Sequence, residues 1–228
     1  LSPWPRLISQ ISFSSIAWFQ NIRIDAIDIS NLHLGFDIFI LPKFLSLIIT
    51  VVWIVGITNA INWIDGLDGL AIGISFIAVL GLGIINFRLN KFDELFLFFA
   101  MAGSCISFMK YNCFPAKILM GDGGSYFLGF LLSFSAIITT TKYSFNSDIP
   151  DVTSIFIPIC LFLIPIMDMI YVICLRILKG RSPFYPDKDH IHHRLMRWGF
   201  SHRNTVFIIY CFSIITALIS VYMSNKLL

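Results

Sequence analysis

The chain has 228 residues, of which 57% are hydrophobic and only 13% are charged. A soluble domain carries roughly 25% charged residues, so this composition excludes an ordinary water-soluble domain. The net charge of +3 is small, and the sequence has no basic stripe of the kind that a nucleic-acid backbone requires, so no nucleic-acid partner is expected.

Seven segments free of Asp, Glu, Lys and Arg follow one another along the chain. Several reach the length of about 20 residues that crosses the hydrocarbon core of a bilayer. Because lipid offers the backbone no hydrogen-bond partner, such segments must be helical. The sequence therefore predicts an all-α integral membrane protein with seven transmembrane helices, in the ranges 7–22, 44–64, 69–87, 95–109, 123–141, 152–167 and 204–225.

The positions of Lys and Arg predict the orientation of these helices. If the loops alternate sides, one side receives the segments 1–6, 62–68, 110–123 and 176–203. That side holds ten of the sixteen Lys and Arg residues. The positive-inside rule makes it the cytoplasmic side. Three polar stretches fall on this same side.

The first polar stretch is NAINWIDGLDGLAIG, residues 59–73, at the end of an apolar segment. Four of its polar residues recur every three positions, which would place them around one face of a helix: Asn59, Asn62, Asp65 and Asp68. An ionisable group at membrane depth costs about 2.5–3.5 kcal/mol, and such groups usually line an interior site. The alternative interpretation is a polar helix end that meets the lipid headgroups.

The second stretch is YNCFPAKILMGDGGS, residues 111–125, in which three glycines surround Asp122. We expect the next helix to begin at Ser125. A glycine-rich turn before a helix N-terminus suits a phosphate, and a carboxylate within it suits Mg²⁺. The alternative is an ordinary glycine turn with Asp122 as its helix cap.

The third stretch is SPFYPDKDHIHHRLMRWGFSHR, residues 182–203, and it contains His190, His192 and His193. Imidazole rings suit zinc, but adjacent histidines cannot share a helical face, and no cysteine lies nearby. Recognition of phosphate by His, Lys and Arg is an equally reasonable interpretation. A solvated basic loop is the third alternative.

One further acidic residue, Asp168, lies inside the sixth apolar segment after Pro158 and Pro165. The prolines predict a kink in this helix. The aspartate should face the interior of the bundle rather than lipid. Structural pairing and contact with a substrate are both compatible with the sequence.

Taken in order, the three polar stretches resemble the polyprenyl-phosphate N-acetylhexosamine-1-phosphate transferases, which are membrane enzymes of glycosyltransferase family 4. The resemblance runs from about residue 1 to about residue 205. The third stretch is more similar to the enzymes that initiate O-antigen, common-antigen or teichoic-acid glycans. In the peptidoglycan branch, phospho-MurNAc-pentapeptide translocase, three histidines are consecutive, whereas Ile191 interrupts them here.

The resemblance implies a specific reaction. The enzyme would transfer a sugar-1-phosphate from a UDP-N-acetylhexosamine to a polyprenyl phosphate, expected to be undecaprenyl phosphate, and release UMP. This is the first membrane step of a cell-surface polysaccharide such as O-antigen. The resemblance further implies a multi-pass protein of the bacterial inner membrane with its active site on the cytoplasmic face, and a homodimer is a further possibility.

The family pattern also implies roles for individual residues. Mg²⁺ is the expected cofactor, with Asp122 as its carboxylate ligand. Asn62 and Asp65 would line the nucleotide and diphosphate site, Asp68 would lie near the uracil end, and Asn112 would help to hold the site. His192 and His193 would contact the diphosphate or sugar, with His190 and Arg194 as further substrate-binding residues. The catalytic group is then Asp65, Asp68, His192 and His193.

The chain departs from the family pattern at its beginning. The family has a pair of aspartates in an earlier cytoplasmic loop, one of them a candidate base, and LSPWPR resembles the residues just after that pair. We therefore expect residues 1–228 to be a single transmembrane catalytic domain that is incomplete at its N-terminus. The complete bundle would have ten or eleven helices.

Two other classes of protein are considered. A proton- or cation-coupled transporter could use intramembrane Asp65, Asp68 and Asp168. It predicts an internal repeat and acidic groups near the membrane midplane, but the sequence has no visible repeat and its polar groups gather on one side. A CDP-alcohol phosphotransferase is disfavoured because Ala71 is followed by Ile72 instead of the arginine of that family's motif.

Overall fold

The computed structural model describes residues 3–28, 38–142, 152–185 and 187–226. Residues 1–2 of the predicted N-terminal loop and residue 186 of the histidine-containing stretch lie outside this description. Nine α-helices occur in the described ranges: α1 Pro3–Phe19, α2 Lys43–Ile64, α3 Leu70–Arg88, α4 Phe92–Asn112, α5 Gly121–Thr140, α6 Phe156–Leu161, α7 Leu163–Leu178, α8 Ile191–Arg197 and α9 His202–Met223.

Five of the described helices are long and apolar enough to cross a membrane, namely α2, α3, α4, α5 and α9. They correspond to five of the seven predicted segments, and the protein is a multi-pass membrane protein. The first predicted segment is the 17-residue helix α1. The sixth is divided into α6 and α7, which meet at Phe162 between Pro158 and Pro165. The break is the expected effect of prolines that cannot donate a backbone hydrogen bond.

A small four-stranded sheet is added to the helical architecture at the end opposite the polar stretches. Its strands are β1 Ala26–Asp28, β2 Ile38–Ile40, β3 Thr141–Lys142 and β4 Val152–Thr153, in the order β2-β1-β4-β3. β1 pairs antiparallel with β2 and parallel with β4, while β3 and β4 are antiparallel. These strands were not predicted from the sequence, because long uncharged segments do not indicate strands of two or three residues.

Helix α2 lies at the centre of the bundle, packed against α1, α5 and α7, while α3 packs against α4, α5 and α9. The backbones of α2 and α5 approach closely at Gly129, where an added Cβ would lie 2.8 Å from the Cα of Thr58. Small residues permit such close approach between membrane helices. Apolar side chains including Ile61, Leu82 and Leu132 fill the core between these helices. This packing holds the N-terminal end of α5 beside the C-terminal end of α2.

Lys91, between α3 and α4, secures the opposite end of α5. Its Nζ donates to the carbonyl oxygens of Ile138 at 2.8 Å, Thr139 at 3.0 Å and Thr141 at 2.8 Å. The last carbonyls of a helix have no partner within the helix, so a lysine there replaces the missing donors. Burial lowers the pKa of Lys91, and the charge of Glu94 partly opposes this effect.

We expect Lys91→Met to destabilise the bundle. Methionine fills a similar space but donates no hydrogen bond, so carbonyls at the end of α5 lose a charged donor. A hydrogen bond from a charged group contributes about 1.5–3 kcal/mol to stability. The methionine variant regains part of this free energy because it has no charged amine to bury. A net loss of about 2 kcal/mol would lower Tm by about 4–8 °C in detergent. Lys43→Met, at an exposed lysine of α2, is the control, and equal Tm values for the two variants would contradict this role of Lys91.

Candidate active site

The NAINWIDGLDGLAIG stretch forms a helix end and a turn. Helix α2 ends at Ile64, Asp65 is its C-terminal cap, and Asp68 lies in the turn before α3. Gly69 has φ of +81°, a left-handed conformation that favours glycine. The expectation that Asn59, Asn62, Asp65 and Asp68 share one helix face is therefore wrong for the two aspartates. Gly66 and Gly69 allow the chain to leave α2 and turn toward α3, so the carboxylates of Asp65 and Asp68 both belong to a turn.

Asp68 and Asn112 tie this turn to the loop between α4 and α5. The Oδ2 atom of Asp68 accepts the backbone N–H of Ala116 at 3.0 Å. Asn112 is buried, and its Oδ1 accepts the N–H of Gly69 at 3.2 Å while its Nδ2 donates to the carbonyl of Ile118 at 2.9 Å. The first and second polar stretches are thus joined by hydrogen bonds, as their placement on one side predicted.

Helix α9 supports the same turn through two residues that the sequence analysis did not single out. The backbone N–H of Asp68 donates to Nε2 of His202 at 3.2 Å. The hydroxyl of Tyr210 donates to the carbonyl of Gly69. Of the two, only His202 could have been selected from the sequence, because it lies in the third polar stretch after HIHH. Tyr210 lies in an apolar segment, where one tyrosine resembles core material.

Asp122 lies in the first turn of α5, which begins at Gly121. The expected helix start at Ser125 is therefore wrong, because the glycines after Asp122 continue the helix instead of forming a turn before it. The Oδ1 of Asp122 accepts Nδ2 of Asn62 at 3.1 Å, and its Oδ2 pairs with Arg6 at 2.9 Å. The same Asn62 amide donates to the hydroxyl of Ser125 at 2.9 Å. Asn62 thereby connects the end of α2 to the start of α5.

Two cavities flank this connection. The first, of about 220 Å³, is called the carboxylate cavity, and its lining includes Asp65, Gly66, Asp68, Asn112, Leu119 and Gly121. The second, of about 250 Å³, is called the cationic cavity, and its lining includes Arg6, Asn62, Trp63, Tyr126, Arg176 and His190. Asn62 lines the cationic cavity and donates a hydrogen bond to Asp122, which also pairs with Arg6 of that cavity.

An apolar groove of about 380 Å³ lies beside the cationic cavity. It runs between α1, α2 and α5 and shares Arg6 and Tyr126 with that cavity. Its other lining residues include Phe13, Phe127 and Phe130. The groove is mostly apolar, whereas the cationic cavity contains two arginines that are each paired with an aspartate.

Asp65 has the most clearly shifted carboxyl group of the site. Burial raises its pKa to about 6, and the negative charge of Asp122 adds to the shift. A raised folded pKa stabilises the protein fully below the unfolded pKa of about 3.9, and this stabilisation is lost as the pH rises through 6. At pH 8 the ionised Asp65 therefore destabilises the folded state.

We expect Asp65→Asn to raise Tm by a few degrees at pH 8, and by less at pH 4, because the amide carries no charge to desolvate. The measurement is thermal unfolding in detergent with a chelator, across this pH range. Asp93→Asn, at an exposed aspartate in the first turn of α4, is the control. A Tm difference that is constant with pH would contradict the assigned origin of the shift.

The three clustered histidines of the third stretch, His190, His192 and His193, lie in different surroundings. His190 lines the cationic cavity, and its Nδ1 is 2.7 Å from Oδ2 of Asp168. His192 is only 1% exposed and lies against Gly66, where an added Cβ would overlap its ring. Among the described residues its Nδ1 has no hydrogen-bond partner. Burial lowers its pKa to about 4, with smaller contributions from His193 and His190. His192 is therefore neutral at physiological pH.

The side chains of His193 and Arg194 contact different parts of the protein. The ring of His193 lies 4.3 Å from that of His192, and burial lowers its pKa, assisted by neighbouring positive groups. The guanidinium of Arg194 lies 4.4 Å from the ring of Tyr171, beside an apolar space between α7, α8 and α9. Arg194 lines neither the carboxylate nor the cationic cavity.

Asp168 faces the interior as predicted, and its described partners are His190 and the backbone of Ile191.

The donor set of the site is compatible with Mg²⁺. Within the described ranges, no three His, Cys, Asp or Glu side chains form a group that could hold a metal ion. Mg²⁺ is usually bound by one or two carboxylates together with water and phosphate oxygens, so it does not need such a group. Asp122 and Asp65 are close enough for the charge of one to raise the pKa of the other. A cation between them would remove that repulsion.

The helices place this polar site at one end of a membrane bundle, and comparison with known proteins defines the family. Residues 1–140 match the profile described as glycosyl transferase family 4, and the chain belongs to this family. It is 42% identical over 179 residues to the probable undecaprenyl-phosphate N-acetylglucosaminyl 1-phosphate transferase of Bacillus subtilis (strain 168), covering 78% of this chain and 48% of that protein.

Two further relatives carry similar names. The decaprenyl-phosphate N-acetylglucosaminephosphotransferase of Mycobacterium leprae (strain TN) is 36% identical over 189 residues, covering 77% of this chain and 48% of the relative. The undecaprenyl-phosphate alpha-N-acetylglucosaminyl 1-phosphate transferase of Yersinia pestis is 34% identical over 167 residues, covering 72% and 44%. The chain spans about half the length of these relatives.

Proposed function

We propose that the protein transfers N-acetylhexosamine-1-phosphate from a UDP-sugar to a polyprenyl phosphate, releasing UMP and leaving a polyprenyl-diphospho-sugar. Undecaprenyl phosphate is the proposed acceptor, and the bacterial inner membrane is the proposed location, with the site facing the cytoplasm. The reaction would be the first membrane step of a surface polysaccharide such as O-antigen. The names of the relatives, which refer to undecaprenyl or decaprenyl phosphate, support this proposal.

One observation carries the proposal: a polar cavity and an apolar groove lie side by side and share two lining residues. The donor is a water-soluble nucleotide sugar, whereas the acceptor joins a phosphate to a long apolar chain. The cationic cavity suits the acceptor phosphate, and the groove that shares Arg6 and Tyr126 with it suits the isoprenoid chain. The carboxylate cavity, whose lining includes Gly121 next to Asp122, would receive the nucleotide.

The residues of the site would bind and orient the two phosphate groups. Asp122 and Asp65 would hold Mg²⁺, which when bound neutralises charge on the diphosphate. Arg6 would pair with the acceptor phosphate, since a guanidinium makes strong charge-assisted bonds to phosphate oxygens. Asn62 keeps α2 and α5 in register around the reacting groups. Such fixed positioning and charge stabilisation account for most of the catalysis of phosphoryl transfer.

The test is an assay of membranes that contain the full-length protein. The membranes receive undecaprenyl phosphate, Mg²⁺ and one of several radiolabelled UDP-sugars: UDP-N-acetylglucosamine, UDP-N-acetylgalactosamine or UDP-glucose. We expect a lipid-linked diphospho-sugar and an equal amount of UMP with at least one N-acetylhexosamine donor. Absence of lipid product with both N-acetylhexosamine donors would contradict the proposed function. The mass of the purified protein in detergent would test the prediction of a homodimer.

A further inference from the structure

Asp168 makes two short hydrogen bonds inside the bundle. Its side chain is only 3% exposed, and it belongs to α7. Its Oδ2 lies 2.7 Å from Nδ1 of His190, and its Oδ1 accepts the backbone N–H of Ile191 at 2.6 Å. Each carboxylate oxygen thus meets a nitrogen of the third polar stretch. The aspartate anchors the start of α8 and the histidine immediately before it.

The bond between Asp168 and His190 defines the protonation of the imidazole ring. An ionised carboxylate can only accept hydrogen bonds, so Nδ1 must carry the proton that the pair shares. In a neutral imidazole the other nitrogen then has no proton. In the Nδ1–H tautomer that this bond selects, Nε2 of His190 is a hydrogen-bond acceptor.

His190 lies at the wall of the proposed substrate site. Its ring lines the cationic cavity, with the ring of Trp63 at 6.0 Å on one side and that of His192 at 5.7 Å on another. None of the residues that the structure describes bonds to Nε2 of His190. The guanidinium of Arg176, which lines the same cavity, is held by Asp187 at 2.7 Å and stacks 4.8 Å from Trp63. The cavity thus combines the Arg176–Asp187 ion pair with a histidine nitrogen that has no partner among the described residues.

We propose that Asp168 is a positioning residue, which holds His190 with Nε2 unprotonated so that it accepts a hydrogen bond from a hydroxyl of the bound substrate. The hydroxyl belongs to the sugar or to a protonated acceptor phosphate. This inference rests on the proposed function for the identity of the ligand. The buried carboxylate–imidazole pair corresponds to the arrangement by which outer partners set ring orientation and basicity in other sites.

The first test is a double-mutant cycle in the full-length protein, using Asp168→Asn, His190→Gln and their combination. The amide introduced by Asp168→Asn keeps an oxygen for the N–H of Ile191, but its NH₂ group donates to Nδ1 and forces the proton onto Nε2. We expect Asp168→Asn alone to lower kcat about 10–100-fold, the usual effect of losing such a partner. KM for the UDP-sugar should change less than about threefold, since the cavity keeps its lining.

The combined variant separates positioning from simple structural support. If Asp168 acts through His190, adding Asp168→Asn to the His190→Gln variant should lower kcat by less than about threefold further. An equal loss in both backgrounds would show that Asp168 serves only to hold α8, and would overturn the proposal.

The second test does not depend on activity or on the folding of any Asp168 variant. In the unmodified protein labelled with ¹⁵N-histidine at pH 8, the His190 signals are identified by their absence in His190→Gln. We expect the proton on Nδ1, and a proton on Nε2 would overturn the proposal. Failure of the unmodified full-length protein to transfer sugar phosphate would instead contradict the proposed function.

Discussion

Replacing Asp122 with asparagine should lower the rate of sugar-phosphate transfer about a thousandfold while leaving the protein folded. The amide matches the carboxylate in size and can still accept the hydrogen bond from Asn62, so the junction of α2 and α5 should persist. It removes the negative charge that a hard cation requires and the ion pair with Arg6 at 2.9 Å. Loss of about 4 kcal/mol of charge stabilisation corresponds to this change in rate.

The measurement is single-turnover transfer in full-length protein at saturating donor and acceptor, repeated over a range of Mg²⁺ concentrations. The side chain of Asp122 is 56% exposed, so its replacement should change Tm little. Asp93→Asn changes the net charge equally at the opposite end of the bundle and should retain full activity. Near-normal turnover of Asp122→Asn at low Mg²⁺ would contradict its assignment as the metal ligand.

Replacing Arg6 with methionine should raise KM for the polyprenyl phosphate about 10–100-fold and change KM for the UDP-sugar much less. Arg6 lines both the cationic cavity and the apolar groove, so its charge lies where a lipid head would join its chain. A hydrogen bond from a charged group contributes about 1.5–3 kcal/mol, which corresponds to this range. Methionine keeps the apolar part of the side chain, so the groove should remain lined.

The acceptor and donor dependences are measured separately in mixed micelles of the full-length protein. Lys110→Met is the matched control, since it removes an exposed positive charge at the same end of the bundle without lining either cavity. If Arg6→Met raised KM for the donor and left KM for the acceptor unchanged, the acceptor phosphate would have to bind elsewhere.

The grouping of the polar residues could be predicted from the sequence on physical grounds. Charged and amide groups are costly at membrane depth, so their recurrence at one end of successive apolar segments indicates a shared site. The structure joins Asp68 to the loop after α4 and Asn62 to Asp122 by hydrogen bonds. Long apolar segments likewise predict membrane helices with little ambiguity, because lipid permits few alternatives.

The local geometry of the site could not be predicted in the same way. A three-residue spacing suggested one helical face for Asn59 to Asp68, but the turn at Gly66 and Gly69 interrupts that face. In contrast, the glycines around Asp122 suggested a turn and instead belong to α5. Glycine permits both a helix and a turn, so packing against neighbouring helices decides which one forms. That packing cannot be predicted from a single sequence.

The sequence by itself determined the membrane architecture, the side on which the polar residues lie and the family to which the chain belongs. These properties depend on composition and on motifs that are local in the chain. Only the tertiary structure decided which side chains meet: Arg6 with Asp122, His202 with Asp68, and Asp168 with His190. Such pairs lie 22 to 134 positions apart, and they form because helix packing brings distant segments to one end of the bundle.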